Sequence, residues 1–199
     1  MIEYPIKSIG LLCKGQMVLI GWPEENEYDL ITNLRNRAHV KKWFLDDRMI
    51  DLMQNRKWLE TGMDRPKEAL LSIRDIKHKI FLGTIGWSDW NLVESSACFG
   101  RLIVDDTRVR QLSHEFPLSY RGVAYDACLT LRNYAFNNMK LLIGETFVFE
   151  NNILALKINK SIGLNYQAIQ TRLRPDGTKI NTIKMRITRG EWLEQIKAD

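Results

Sequence analysis

Residues 149–164 read FENNILALKINKSIGL. They follow an apolar run, LLIGETFVF (141–149), whose length and Phe/Val content suit a strand. They close on Gly163, where the C-terminal stop of a helix belongs. Asn151 and Asn152 stand where the apolar period changes, and asparagine is a favoured helix N-cap worth ~1 kcal/mol. The reading is strand, cap, helix, stop. Whether the asparagines only cap, or also face a ligand, depends on what the rest of the chain sets beside them.

Upstream, Val123, Ala127, Leu131, Tyr134 and Ala135 recur at helical spacing and predict a helix over 122–138 with an apolar stripe. EALLSIRDI (68–76), KIFLGTIGW (79–87) and ACFGRLIVD (97–105) read as an antiparallel meander, and GQMVLIGW (15–22) as the first strand. Residues 25–44 and 51–62 read as helices, the second opening on Asp51 and Gln54 in capping-box positions. The stretch 106–122 reads as irregular, long enough to fold over a substrate. Downstream, NYQAIQTRL (165–173) and TKINTIKMRIT (178–188) form a hairpin around an Asp-Gly turn.

This order predicts an α/β (α+β) fold, one domain over 1–199, with about seven mostly antiparallel strands and about four helices. The connection from 97–105 to 141–149 passes through a helix, so those two strands must be parallel. A site is expected where they part to face a helix N-terminus.

With 45% hydrophobic and 27% charged residues, the 199-residue chain has the balance of a soluble globular protein. No apolar run approaches the ~20 residues of a membrane span, and the N-terminus makes a poor secretory signal. Three widely spaced cysteines argue against a disulfide framework or a zinc cluster, and the expected location is the cytoplasm. The net charge of +5 suits a phosphate-bearing small molecule, and its even spread along the chain argues against a nucleic-acid arm.

The element order, with SYRGVAYDACLTLRNYAF (119–136) ahead of FENNILALKINKSIGL, resembles the GNAT superfamily of acetyl-CoA-dependent N-acetyltransferases over roughly residues 15–193. In that family an asparagine ends the fifth strand, an alanine follows three on, a tyrosine often stands four further, and Gly-Phe comes next. Asn152, Ala155, Asn159 and Gly163-Leu164 hold those places here. FGRLIVDD (99–106) and NTIKMRITRGEW (181–192) are similar to strands of the branch containing ribosomal-protein-alanine and amino-sugar acetyltransferases.

The resemblance implies acetyl-CoA as cofactor, in a sheet splayed between its fourth and fifth strands. It assigns cofactor binding to Ile103, Val104, Arg121, Gly122, Val123, Ala124, Asn152 and Ala155. Ala124 and Asp126 replace the two usual glycines of the pyrophosphate loop. Asp126 then brings negative charge near the phosphates unless its side chain points along the outer helix face. The implied acceptor is a primary amine on an amino sugar or a nucleotide-linked amino sugar, or a protein N-terminus; a homodimer is compatible with it.

Three residues are candidates for the proton traffic of amine attack. Asn159 stands where many relatives have a tyrosine acid, but an amide can only donate a hydrogen bond. Glu145 shares a strand face with Ile143, Phe147 and Phe149, so it either pairs with a cation or faces a cavity. His114, beside Glu115, is either exposed surface or a base. Cys98 takes the place where this branch often carries a glutamate. For the acceptor, Trp87 and Asp89 in GWSDWN, together with Arg35 and Asn36 after the first helix, suit a sugar or an amine; the bland alternatives are core packing and a solvated helix end.

Overall fold

The computed structural model describes residues 11–114 and 118–198, so Glu115 lies outside the described residues. Eight strands form one sheet: β1 (Leu11–Lys14), β2 (Val18–Gly21), β3 (Ala69–Asp75), β4 (Phe81–Asn91), β5 (Ser96–Val104), β6 (Ile143–Phe149), β7 (Asn165–Leu173) and β8 (Lys179–Thr188). Their order is β1-β2-β3-β4-β5-β6-β8-β7. Every neighbouring pair is antiparallel except β5 and β6. The helices are α1 (Tyr28–Asn36), α2 (Ala38–Lys41), α3 (Leu52–Glu60), α4 (Asp106–Leu112), α5 (Tyr120–Asn137), α6 (Ile153–Ser161) and α7 (Arg189–Ala198). None of the described helices is long and apolar enough to cross a membrane.

The β5–β6 pairing lasts for three residue pairs, Ser96↔Ile143, Ala97↔Gly144 and Cys98↔Glu145. Past them the strands diverge. Gly144 leaves room for the Phe99 ring: a Cβ at that position would lie 2.4 Å from it. The connection between these strands runs through α4 and α5, as parallel pairing demands.

Four local features depart from the sequence expectation. The first strand is a hairpin, because Gly15–Met17 turn instead of continuing β2. Asp126, 4% exposed, sits on α5 and accepts from the backbone N–H groups of Gln16 (3.1 Å), Met17 (2.7 Å) and Val18 (3.1 Å). The carboxylate therefore points neither at a phosphate site nor along the outer face; it fastens the β1–β2 turn to the central helix. The helix expected over 25–44 breaks at Arg37, whose extended backbone (ψ 134°) ends α1. Its guanidinium reaches both oxygens of Asp105 at 2.9 and 3.0 Å.

The stretch 106–122 is not irregular throughout. Asp105 caps α4 by accepting from Thr107 and Arg108, and Val109 and Leu112 bury its inner face. Burial works to raise the Asp105 pKa, but the bonds from Arg37 and Arg108 outweigh it and hold the carboxyl below its usual value. Finally, α7 follows β8 through a capping box. Thr188 N–H donates to Glu191 at 2.7 Å, and Glu191 N–H donates to the Thr188 hydroxyl at 3.3 Å. Trp192 then stacks on Phe136 with ring centroids 5.3 Å apart.

Two clusters fill the core. Ile31, Leu34, Val40, Leu59, Phe81 and Ile103 join the first helices to the sheet. A larger cluster joins α5, through Val123, Ala127, Leu131 and Phe136, to β2–β5, Leu164 and Trp192.

If Asp126 serves the hairpin alone, Asp126→Ala leaves three N–H groups without their acceptor. It should lower unfolding stability in urea by about 2 kcal/mol; a variant as stable as the wild type would show that the three N–H groups find other acceptors.

Candidate active site

The parting of β5 from β6 opens two adjoining cavities, of about 520 and 460 Å³, which share Trp43, Phe44, Leu102, Asn152 and Ala155 in their walls. The first lies toward the N-terminus of α5. Ile103, Val104, Ala124, Asn152 and Ala155 all line it, so five of the eight residues expected at the cofactor come together there. Arg121, Gly122 and Val123 sit in the first turns of α5. Arg121 is exposed and Val123 is buried in the core.

Ser119, which the sequence reading passed over, caps α5: its hydroxyl accepts from Gly122 N–H at 3.0 Å. The N–H groups of Tyr120 and Arg121, in the first turn, have no acceptor within the helix. Ala124 and Asp126 both have negative φ, so neither position needs a glycine.

On β5 the backbone is specialised as well. Arg101 and Leu102 stand opposite the single residue Ile85, a bulge in which Arg101 takes φ 57°. Thr84 stabilises it by donating its hydroxyl to Arg101 C=O at 2.9 Å. Asp105 N–H donates to Leu82 C=O across the β4 side at 2.7 Å. By strand alternation the N–H of Val104 turns the other way, toward the side that β6 has left.

In FENNILALKINKSIGL, local hydrogen bonds close both ends of α6. Asn152 caps α6, its side-chain oxygen accepting from Ala155 N–H at 3.2 Å, and the same residue lines both cavities. Asn159 donates its amide to Ala155 C=O at 2.8 Å while lining the second cavity. Gly163, at φ 90°, and Leu164 donate to Lys160 and Asn159 carbonyls at 3.0 Å each, a Schellman stop.

The second cavity holds Trp87, Asp89, Arg35, Cys98 and Asn159. Trp87 is also fully buried core, so both readings of it apply. Asp89 is exposed and accepts from the Ser88 hydroxyl at 2.8 Å. Burial pushes the Cys98 thiol up to about 11, which makes it a neutral wall and not a nucleophile.

Three candidates fall elsewhere. Glu145 forms an ion pair with Lys184 at 2.8 Å and is absent from both cavity walls. His114 is exposed beyond the end of α4. Asn36 clamps the backbone of Ile50, donating to its C=O and accepting from its N–H at 2.8 Å each. Trp43, Phe44 and Arg172, all missed in the sequence, complete the second cavity. The adjacent Trp43-Phe44 pair was legible as a bulky helix end; nothing local in β7 singles out Arg172.

No protein-family model and no curated protein matches the sequence. Solved structures do. An acetyltransferase of the GNAT family from Bacillus anthracis aligns with a TM-score of 0.73 at 14% identity, covering 89% of this chain and 98% of that one. Spermidine N-acetyltransferase from Vibrio cholerae, solved with CoA and spermine, aligns with a TM-score of 0.71 at 15% identity over 88% and 98%. An apo nucleotide-linked sugar GNAT aligns with a TM-score of 0.72 at 16% identity over 96% and 97%. Polyamine and sugar enzymes alike share the architecture, so it singles out no acceptor branch. The eight-stranded sheet, its single parallel junction and the helices around it make this chain a GNAT fold.

Proposed function

We propose that the chain is an acetyl-CoA-dependent N-acetyltransferase whose acceptor is a primary amine on an amino sugar, in particular a nucleotide-linked one. The observation that carries the reading is the parting of β5 from β6 beside two helix N-termini, with a cavity on either side of Asn152 and Ala155. Acetyl-CoA supplies an activated acetyl thioester. The free N–H groups of Tyr120 and Arg121 suit its phosphates, and Val104 N–H suits an amide or carbonyl of its arm. The aromatic wall of Trp43, Phe44 and Trp87 suits the flat faces of a sugar or base.

Direct attack requires the amine to lose a proton. Asp89 is the carboxylate on the acceptor cavity that is not itself in an ion pair among the described residues, and it accepts the proton in this reading, through water where the amine lies beyond reach. Glu145 is held by Lys184, and Asn159 has no proton to give. The thiolate leaves without a side-chain acid, which its modest basicity permits. The same two facts favour a second reading, an acyl-CoA-binding module without turnover.

Thiol release from acetyl-CoA across a panel of amino sugars, peptides and polyamines tests the reading. Turnover with an amino sugar supports it. Thermal stabilisation by acetyl-CoA without thiol release from any amine would favour the binding module, and no stabilisation at all would sink both.

Two variants sharpen the assignment. Ala155→Phe, which fills the neck shared by the cavities, should raise the KM for acetyl-CoA by about tenfold or more, a loss of ~1.4 kcal/mol. Asn159→Ala should lower kcat by less than about tenfold, against the ~10²–10⁴-fold a true general acid contributes. A larger loss, with a new dependence on pH, would restore Asn159 to the proton path.

A further inference from the structure

The charged lining of the acceptor cavity is Arg35, Asp46, Asp89, Arg101 and Arg172. Two of these are neutralised nearby. Arg101 pairs with Glu68, and Asp46 is held by two bonds from Arg48 at 2.8 and 2.6 Å. That leaves two guanidiniums and one carboxylate facing the same space.

Arg172 stacks over Phe147 at 3.8 Å from the ring centroid and meets no carboxylate at ion-pair distance among the described residues. Its neighbours differ: Lys184 on β8 pairs with Glu145, and Arg174 pairs with Asp47. Arg35 is 8% exposed and stacks on Phe44 at 3.7 Å. One of its terminal nitrogens donates to Asp46 C=O, while Nη1 is buried with no hydrogen-bond partner. Burial lowers the Arg35 pKa, opposed by the more distant Asp46 and Asp47 carboxylates. A buried guanidinium nitrogen without a hydrogen-bond partner is costly, and an anion arriving with the substrate removes that cost.

We propose that the acceptor amine carries an oxyanion, a phosphate ester or a carboxylate, which Arg172 and Arg35 receive while Asp89 faces the amino end. The proposal rests on the acetyltransferase reading and narrows its substrate. The two ends belong to one cavity, whose wall Asp89, Arg35 and Arg172 all help to form. A polyamine has no group for Arg172 or Arg35 and adds positive charge beside both. This chain accordingly differs from the spermidine enzyme that shares its fold. Arginine suits the task, because its planar fork matches phosphate and carboxylate in two-point contact.

The test separates this proposal from the reading beneath it by measuring binding as well as turnover. With the cofactor site filled by saturating desulfo-CoA, pyrophosphate and glutarate are titrated by calorimetry into the wild type, Arg172→Gln and Arg172→Lys. At least one of the two anions should bind the wild type, weaken about tenfold or more in Arg172→Gln, and recover in part in Arg172→Lys. The anion that binds tells phosphate from carboxylate. In turnover, glucosamine 1-phosphate or an amino acid should exceed glucosamine and spermidine in kcat/KM by about tenfold or more, a ratio that Arg172→Gln collapses. Equal anion binding by wild type and Arg172→Gln, or spermidine as the best acceptor, would overturn the proposal. Anion binding that depends on Arg172 without thiol release from any amine would instead retain the anion site and remove the transferase reading.

Discussion

The structure depends on two parallel strands that stay together for only three residue pairs. A sheet interior normally satisfies every N–H and C=O by its neighbours. Beyond Cys98 and Glu145, β5 and β6 give up that pairing and leave backbone groups facing one another across a gap. The loss is tolerable because the gap is walled by side chains, because Phe99 fills its root over Gly144, and because helix N-termini end beside it. What would be a defect in a closed sheet is here a slot with donors on its rim.

Holding such a slot open requires the elements around it to be fixed from outside. Two buried carboxylates do much of this. Asp126 joins α5 to the β1–β2 turn through three backbone N–H groups. Asp105 caps α4 while its oxygens take the fork of Arg37, tying the break between α1 and α2 to the end of β5. Each is a charge that would be expensive to bury alone and is well satisfied where it stands. On the acceptor cavity, by contrast, Arg35 Nη1 has no hydrogen-bond partner and Arg172 meets no carboxylate at ion-pair distance among the described residues.

Much of this was readable along the chain. The strand–helix unit 141–161, the meander, the final hairpin and the apolar stripe of α5 carry local periodicity and local stop signals, and they stand within a few residues of where the pattern put them. The capping box at Thr188–Glu191 and the Asp105 cap with Val109 and Leu112 were legible too, by the same rules, but were read as a strand end and as irregular chain. The cofactor-side residues come from β5, α5 and α6, and five of the eight converge. On the acceptor side Arg35, Trp87 and Asp89 were legible but Trp43, Phe44 and Arg172 were not, because the members come from α1, the 42–47 stretch, β4, β5 and β7, and no spacing in sequence relates them.

The sequence by itself determined the meander, the final hairpin and the helices on either side of 141–149, that two strands must run parallel, and that Asn152 and Gly163 bound one helix. These are consequences of period, capping and chain connectivity, each settled within a few residues or by the length of a crossover. Only the tertiary structure decided which polar side chains are spent. Asn36 is consumed by Ile50, Glu145 by Lys184 and Asp126 by the β1–β2 turn, whereas Arg172 meets no carboxylate at ion-pair distance among the described residues. A carboxylate or guanidinium looks the same in any sequence. Its role follows from the partner that folding brings to within hydrogen-bond distance, and that partner is commonly tens of residues away.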